Sequence, residues 1–110
     1  MLSKRTTNVI NIVLDFKIEK HREVNIQIIH VPEDRMTGCL ITINRDFDNQ
    51  CYGGIAYRNP ADADNPETGI RLALRRCLRT AWNLSPRERR EISRLIRTAL
   101  RQYKIAPTGI

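Results

Sequence analysis

CYGGIAYRNPADADNPETGIRLALRRCLRTA, residues 51–81, contains the one change of hydrophobic period in this chain. Up to residue 57 it reads as a strand. From there Ile70, Ala73, Leu74, Cys77, Leu78 and Ala81 fall at i, i+3, i+4, i+7, i+8 and i+11, one face of a helix of about three turns. Residues 58–66 between the two hold two prolines, two asparagines and two aspartates, the composition of a loop. One boundary therefore separates a β-rich part from a helical part.

Toward the N-terminus the period is two throughout. Ile12, Leu14, Phe16 and Ile18 alternate with Asn11, Val13, Asp15 and Lys17, and Val24, Ile26 and Ile28 alternate with Asn25 and Gln27. These are two strands joined through residues 19–22. A third run, residues 39–44, follows the turn-like 32–38, and the fourth, 51–57, follows the acidic 46–50. Connections this short make antiparallel neighbours, because a parallel pair needs a crossover of about a dozen residues. Toward the C-terminus Ser85, Pro86 and Glu88 form an N-cap, a first helical residue and a capping-box partner. Ile92, Leu95, Ile96, Ala99, Leu100 and Tyr103 then repeat the helical spacing. The expectation is a single α+β domain over residues 1–110: a four-stranded antiparallel sheet within 1–66, then a helical hairpin, 67–104, turning about Asn83 and Leu84.

Charge divides at the same boundary. Residues 1–66 carry eight Lys/Arg and nine Asp/Glu, whereas 67–104 carry eleven against three, so the two parts sum to −1 and +8. Ten of those eleven are arginines, forked planar donors that suit phosphate better than a solvated surface requires. On a helical wheel Arg90, Arg94, Arg97 and Arg101 align opposite the apolar stripe of the second helix. Arg71, Arg75 and Arg79 climb one flank of the first helix beside Trp82, with Arg76 and the out-of-place Leu72 on the far side. Arginine forks could hold phosphates while Trp82 or Tyr57 stacks on a base. The alternatives are a solvated arginine face and, for Trp82, a core residue at the helix end.

Other chemistry is sparse. Cys39, Cys51 and Cys77 lie in apolar stretches without CxxC spacing, which fits buried reduced thiols rather than a disulfide or zinc. His21 and His30 lack a matching ligand spacing, and His30 continues the phase of Ile26 and Ile28 as a core or edge histidine. Gly53-Gly54 suits either a bulge or a close backbone approach. No nucleophile–base or paired-carboxylate motif stands out, so neither catalysis nor a cofactor is expected. No apolar run reaches the roughly 20 residues of a membrane span, which makes cytoplasm the expected compartment. A domain this small buries a limited share of its surface, and Leu72 with the arginine flanks leaves more uncovered, so a homo-oligomer is expected.

Gly54-Ile55-Ala56-Tyr57-Arg58-Asn59-Pro60-Ala61-Asp62, followed by Gly69 and by Leu72-Ala73-Leu74-Arg75-Arg76, resembles a Gly-x-Ala-x-x-Asn-Pro-x-Asp element of small phage-encoded proteins. It is similar to the phage anti-Thoeris sponges, which bind cyclic ADP-ribose signals in pockets at subunit interfaces of a homo-oligomer and do not degrade them. The resemblance covers residues 51–80. It implies ligand contacts at Asn59 and Arg76, and it implies sequestration of a cyclic nucleotide immune signal in an infected bacterium. The residues themselves lead to a site in which Asn59 hydrogen-bonds a base or ribose, Arg75, Arg76 and Arg79 take phosphates with Arg71 beside them, and Tyr57 or Trp82 stacks. One departure shifts the register of the helix contacts: Ile70 follows Gly69 here and Arg71 comes one residue later, where the family often carries arginine directly after that glycine. Part of the element is turn chemistry in its own right, since Asn59, Pro60 and Asp62 form turns and Asp64, Asn65 or Thr68 can cap a helix. Two other functions fit the same charges. One is a nucleic-acid or ribonucleoprotein binder that inhibits a bacterial defence system; the other is a module docking an acidic protein through the Arg90, Arg94, Arg97 and Arg101 row.

Overall fold

A computed structural model describes residues 9–18, 22–45, 48–81 and 84–105. Its order is β1 (Ile10–Ile18), β2 (Arg22–Val31), β3 (Met36–Arg45), β4 (Asp48–Tyr57), α1 (Pro66–Thr80) and α2 (Pro86–Gln102). The strands form one antiparallel meander in the order β1-β2-β3-β4, followed by the two helices, the α+β arrangement expected. Both helices cover the same face of the sheet. α1 lies over β4 and β3, and α2 over β1.

Alternation decides which face is covered. Rungs of directly paired residues run across the sheet, Leu14–Ile26–Ile41–Tyr52 and Ile12–Ile28–Cys39–Gly54 among them, and all these side chains are buried. Ile70, Ala73, Leu74 and Cys77 of α1 and Ile92, Ile96, Ala99 and Leu100 of α2 close over these rungs into one core. Leu72, placed by the sequence on an uncovered side, is half-buried and packs against that core.

β3 and β4 begin three residues earlier than the apolar runs indicated. The turn expected over 32–38 is completed by a single 3₁₀ turn, Pro32–Asp34, and by Arg35 at φ 52°, whose N–H bonds the Pro32 carbonyl at 3.0 Å. Strand pairing resumes at once, Val31 opposite Met36. α1 is likewise a turn longer than its apolar stripe. Asn65 caps it by accepting the Thr68 N–H at 3.2 Å, and Pro66 supplies the pre-set φ of a first helical residue. The Ser85–Glu88 capping box is present in α2 as expected.

Gly53-Gly54 makes no bulge, since pairing with β3 continues through Gly54 opposite Cys39. The close approach is the other outcome. A Cβ on Gly54 would lie 2.4 Å from the Cys77 nitrogen and 2.5 Å from the Ala73 carbonyl oxygen, so the backbone of α1 rests directly on that of β4. Gly53 faces the open side, with the Cys39 oxygen at 3.8 Å as its nearest neighbour. Gly54→Ala should therefore force the helix off the strand and lower stability by about 1–3 kcal/mol, as overpacking does. Gly53→Ala should leave stability within about 1 kcal/mol of the parent. Urea denaturation of the two variants checks this.

Candidate functional site

Three connections meet at one end of the sheet: the β2–β3 turn, the end of β4, and the loop that leads into α1. They leave a cleft of about 450 Å³. Its floor is His30, 4% exposed. Nε2 hydrogen-bonds Asp64 Oδ1 at 3.0 Å, and Nδ1 hydrogen-bonds the Thr37 hydroxyl at 2.7 Å. His30 is thus the buried histidine that its phase implied, with both nitrogens engaged. The first turn of α1 presses on this pair at Gly69, where a Cβ would lie 2.4 Å from Thr37 Oγ1.

Thr37, His30 and Asp64 are the group types of a nucleophile, a base and an orienting carboxylate. Their packing gives them a structural part. Thr37 is 2% exposed beneath Gly69, so a substrate cannot approach its hydroxyl without displacing the helix.

Arg58 organises the loop. Its guanidinium donates to the Asp62 carbonyl at 2.5 Å and the Pro32 carbonyl at 3.3 Å, and its Nε lies 3.7 Å from Asp64 Oδ1. Asn59 Oδ1 accepts the Ala61 N–H at 3.0 Å, an Asx turn. Tyr57 stands exposed beside them. Tyr57 and Asn59 therefore do line a common concavity with the first turns of α1, as the loop-and-helix element suggested.

The arginines expected to join them do not line it. Arg76 turns to the sheet edge, where Nη1 donates to the Ile55 carbonyl at 2.9 Å; Thr80 Oγ1 reaches the Gly53 carbonyl at 3.4 Å. Together they cover the unpaired edge of β4, which is a structural task. Arg71 pairs with Glu67 one turn back, at 3.9 Å. Arg75 and Arg79 are exposed on the outer side of α1, and Trp82 lies outside the described residues. In their place the cleft has Arg35 and Arg58 facing Asp62 and Asp64, a balanced set of charges. Neither arginine belongs to a helical stripe, and a search along helix wheels passes over both.

α2 divides its arginines in the same way. Arg89 donates to the Ala81 carbonyl at 2.6 Å, tying the start of α2 to the end of α1, and Glu88 binds Arg22 at the start of β2. Arg90, Arg94 and Arg101 are exposed, and Arg97 lies half-buried on the same face. A shallow depression of about 570 Å³ runs along this face between Arg87, Arg90, Arg94 and Arg97.

Among the thiols, Cys39 and Cys77 are buried as expected, whereas Cys51 is exposed. Cys51 pairs with Thr42 on the uncovered face, so its place in the alternation overrides its apolar neighbourhood. The adjacent Cys77 and burial both push the Cys39 thiol up, which keeps it protonated and unreactive.

The Thr37–His30–Asp64 chain makes a stability prediction. His30→Leu strands a buried hydroxyl and should cost about 1–3 kcal/mol. Adding Thr37→Val removes the stranded group, so the double variant should be less destabilised than the two single changes together imply. A double-mutant cycle by urea denaturation measures the difference.

Comparisons with protein-family models, with curated proteins and with solved structures find no match to this chain.

Proposed function

We propose that this protein binds nucleic acid, without turning it over, through the arginine face of α2 together with Arg75 and Arg79 of α1. The observation that carries this is a set of five exposed guanidiniums, Arg75, Arg79, Arg90, Arg94 and Arg101, none with an acidic partner among the described residues. Like charges one helical turn apart cost about 0.2–0.5 kcal/mol per pair, a cost that a bound polyanion reverses. The row from Arg90 to Arg101 is about 16 Å long at 1.5 Å per residue. It spans roughly five 3.4 Å phosphate steps along one strand of a duplex. Arginine in place of lysine suits a phosphate backbone, because the guanidinium fork engages two oxygens of one phosphate at once.

A second function has an observation of its own. The cleft beside Tyr57 and Asn59, with Arg35 at its rim, has room for a planar ring and a phosphate. Under it the chain is an anti-defence sponge that holds a cyclic nucleotide signal, unchanged, in the cytoplasm of an infected bacterium. The positions of Arg71, Arg75, Arg76 and Arg79 away from the cleft weigh against it.

Binding to labelled DNA and RNA of several lengths, across a salt series, tests the first function. Affinity should fall with log salt, and the combined Arg90→Ala, Arg94→Ala and Arg101→Ala variant should flatten that slope by about 2–3, at roughly 0.7–0.9 per lost phosphate contact. Absence of length-dependent binding at about 150 mM salt overturns it. Calorimetry with cyclic ADP-ribose isomers and cyclic di- and trinucleotides then tests the second. Asn59→Ala and Tyr57→Ala should weaken such binding tenfold or more, with the ligand recovered intact by chromatography.

A further inference from the structure

The uncovered face of the sheet is not polar throughout. Along each strand the residues that alternate with the core point to this face, and at one end they are Val13, Ile29, Leu40 and Ile55, each between 40% and 50% exposed. Strand pairing brings them together: Ile29, Gly38 and Ile55 form one rung, and Val13, Gln27, Leu40 and Gly53 the next. Gly38 and Gly53 carry no side chain, so a shallow trough runs between Ile29, Leu40 and Ile55. An open antiparallel sheet face usually alternates to polar residues, so a cluster of four large apolar side chains at one end of it marks a candidate interaction surface.

We propose that this face is the interface of a homodimer, two copies packing sheet against sheet about a two-fold axis. Charge identifies the occupant. The chain carries +7 in all and +8 in its helical part, so two copies repel through almost any other surface. The charged residues on this face are Asp15, Lys17 and Glu23, which sum to −1, and no arginine stands on it among the described residues. It is the surface through which a second copy approaches without opposing guanidiniums, and it turns both helical layers outward.

The area suffices. Four strands about 4.8 Å apart, with about ten residues rising roughly 3.3 Å each, give a projected face on the order of 600 Å². Two such faces bury on the order of 1,200 Å², above the roughly 1,000 Å² that a specific interface needs. Stacked sheets with twisted strands pack at about −30° and interdigitate their side chains, which would seat Leu40 and Ile55 of one copy in the glycine trough of the other.

Cys51 gives a direct reporter. It is the one exposed thiol among the three, and it lies on this face one strand from Thr42, beyond the apolar rungs. Light scattering across 1–100 μM should give a mass of two chains, and Leu40→Glu should reduce it to one while leaving the circular dichroism melt in place. Tyr103→Ser, which changes an exposed aromatic on the helical side, should keep the dimer. In parallel the rate of Cys51 alkylation should fall several-fold as the parent concentration rises, and should stay constant in Leu40→Glu. A mass of one chain at 100 μM overturns the proposal, as does a mass above two chains. So does a two-chain mass that survives Leu40→Glu or is lost in Tyr103→Ser. Slow Cys51 labelling at every concentration in a one-chain parent would mean that the chain covers the face itself, which also overturns it.

Discussion

Where α1 crosses β4, helix backbone meets strand backbone with no side chain between them: the Cβ that Gly54 lacks would fall 2.4 Å from the Cys77 nitrogen and 2.5 Å from the Ala73 oxygen. That contact fixes the height and line of α1, and much else follows from it. At this height Arg76 and Thr80 reach the Ile55 and Gly53 carbonyls and cover the edge of β4. At the other end of the helix the same line drives the first turn onto Thr37 and His30, where Gly69 is again required for space. His30 then holds Asp64 of the loop between β4 and α1. The cleft is the residue of these constraints: its floor, wall and rim are fixed by one glycine-mediated crossing and by the hydrogen bonds it brings within reach.

The arginines of the helical part divide by the same geometry. Arg76 and Arg89 spend their donors on backbone carbonyls that the fold would otherwise leave bare, and Arg71 answers Glu67. Such roles account for guanidiniums without invoking any ligand. Arg75, Arg79, Arg90, Arg94 and Arg101 have no counterpart of this kind among the described residues, and they are exposed on the two helices. Segregation of this sort is the physical content of the +8 charge on the helical part, and it places that charge on a surface more than in a cavity.

The sheet, its strand order and both helices could be read from periodicity because each strand has one wet face and each helix one apolar stripe, so burial imprints its period on the chain. The capping box at Ser85 and Glu88 was legible for the same local reason. Strand starts were not. Met36, Thr37 and Gly38 look like turn continuation until it is known that Arg35 takes a left-handed conformation and finishes the turn in one residue. The site was legible only in part. Tyr57 and Asn59 follow from the loop itself, whereas the destination of Arg76 depends on an edge carbonyl 21 residues away, and the His30–Asp64 bond spans 34. Contacts between elements leave no period in the sequence.

The two associations proposed for the outward surfaces obey opposite rules, and this separates them. Anion binding by the arginine faces would draw on long-range charge, which salt screens within about 8–10 Å at physiological strength. Dimerisation through the apolar sheet face would draw on burial, which salt leaves intact or strengthens, while screening also relieves the repulsion between two chains of +7 each. Raising salt should therefore release a polyanion from the helices and at the same time hold the sheets together. The proposed dimer would present arginine layers on opposite sides, so it could bridge two phosphate-bearing segments, whereas one short strand could not wrap both layers. The two proposed associations are thus independent in energy and coupled only through geometry.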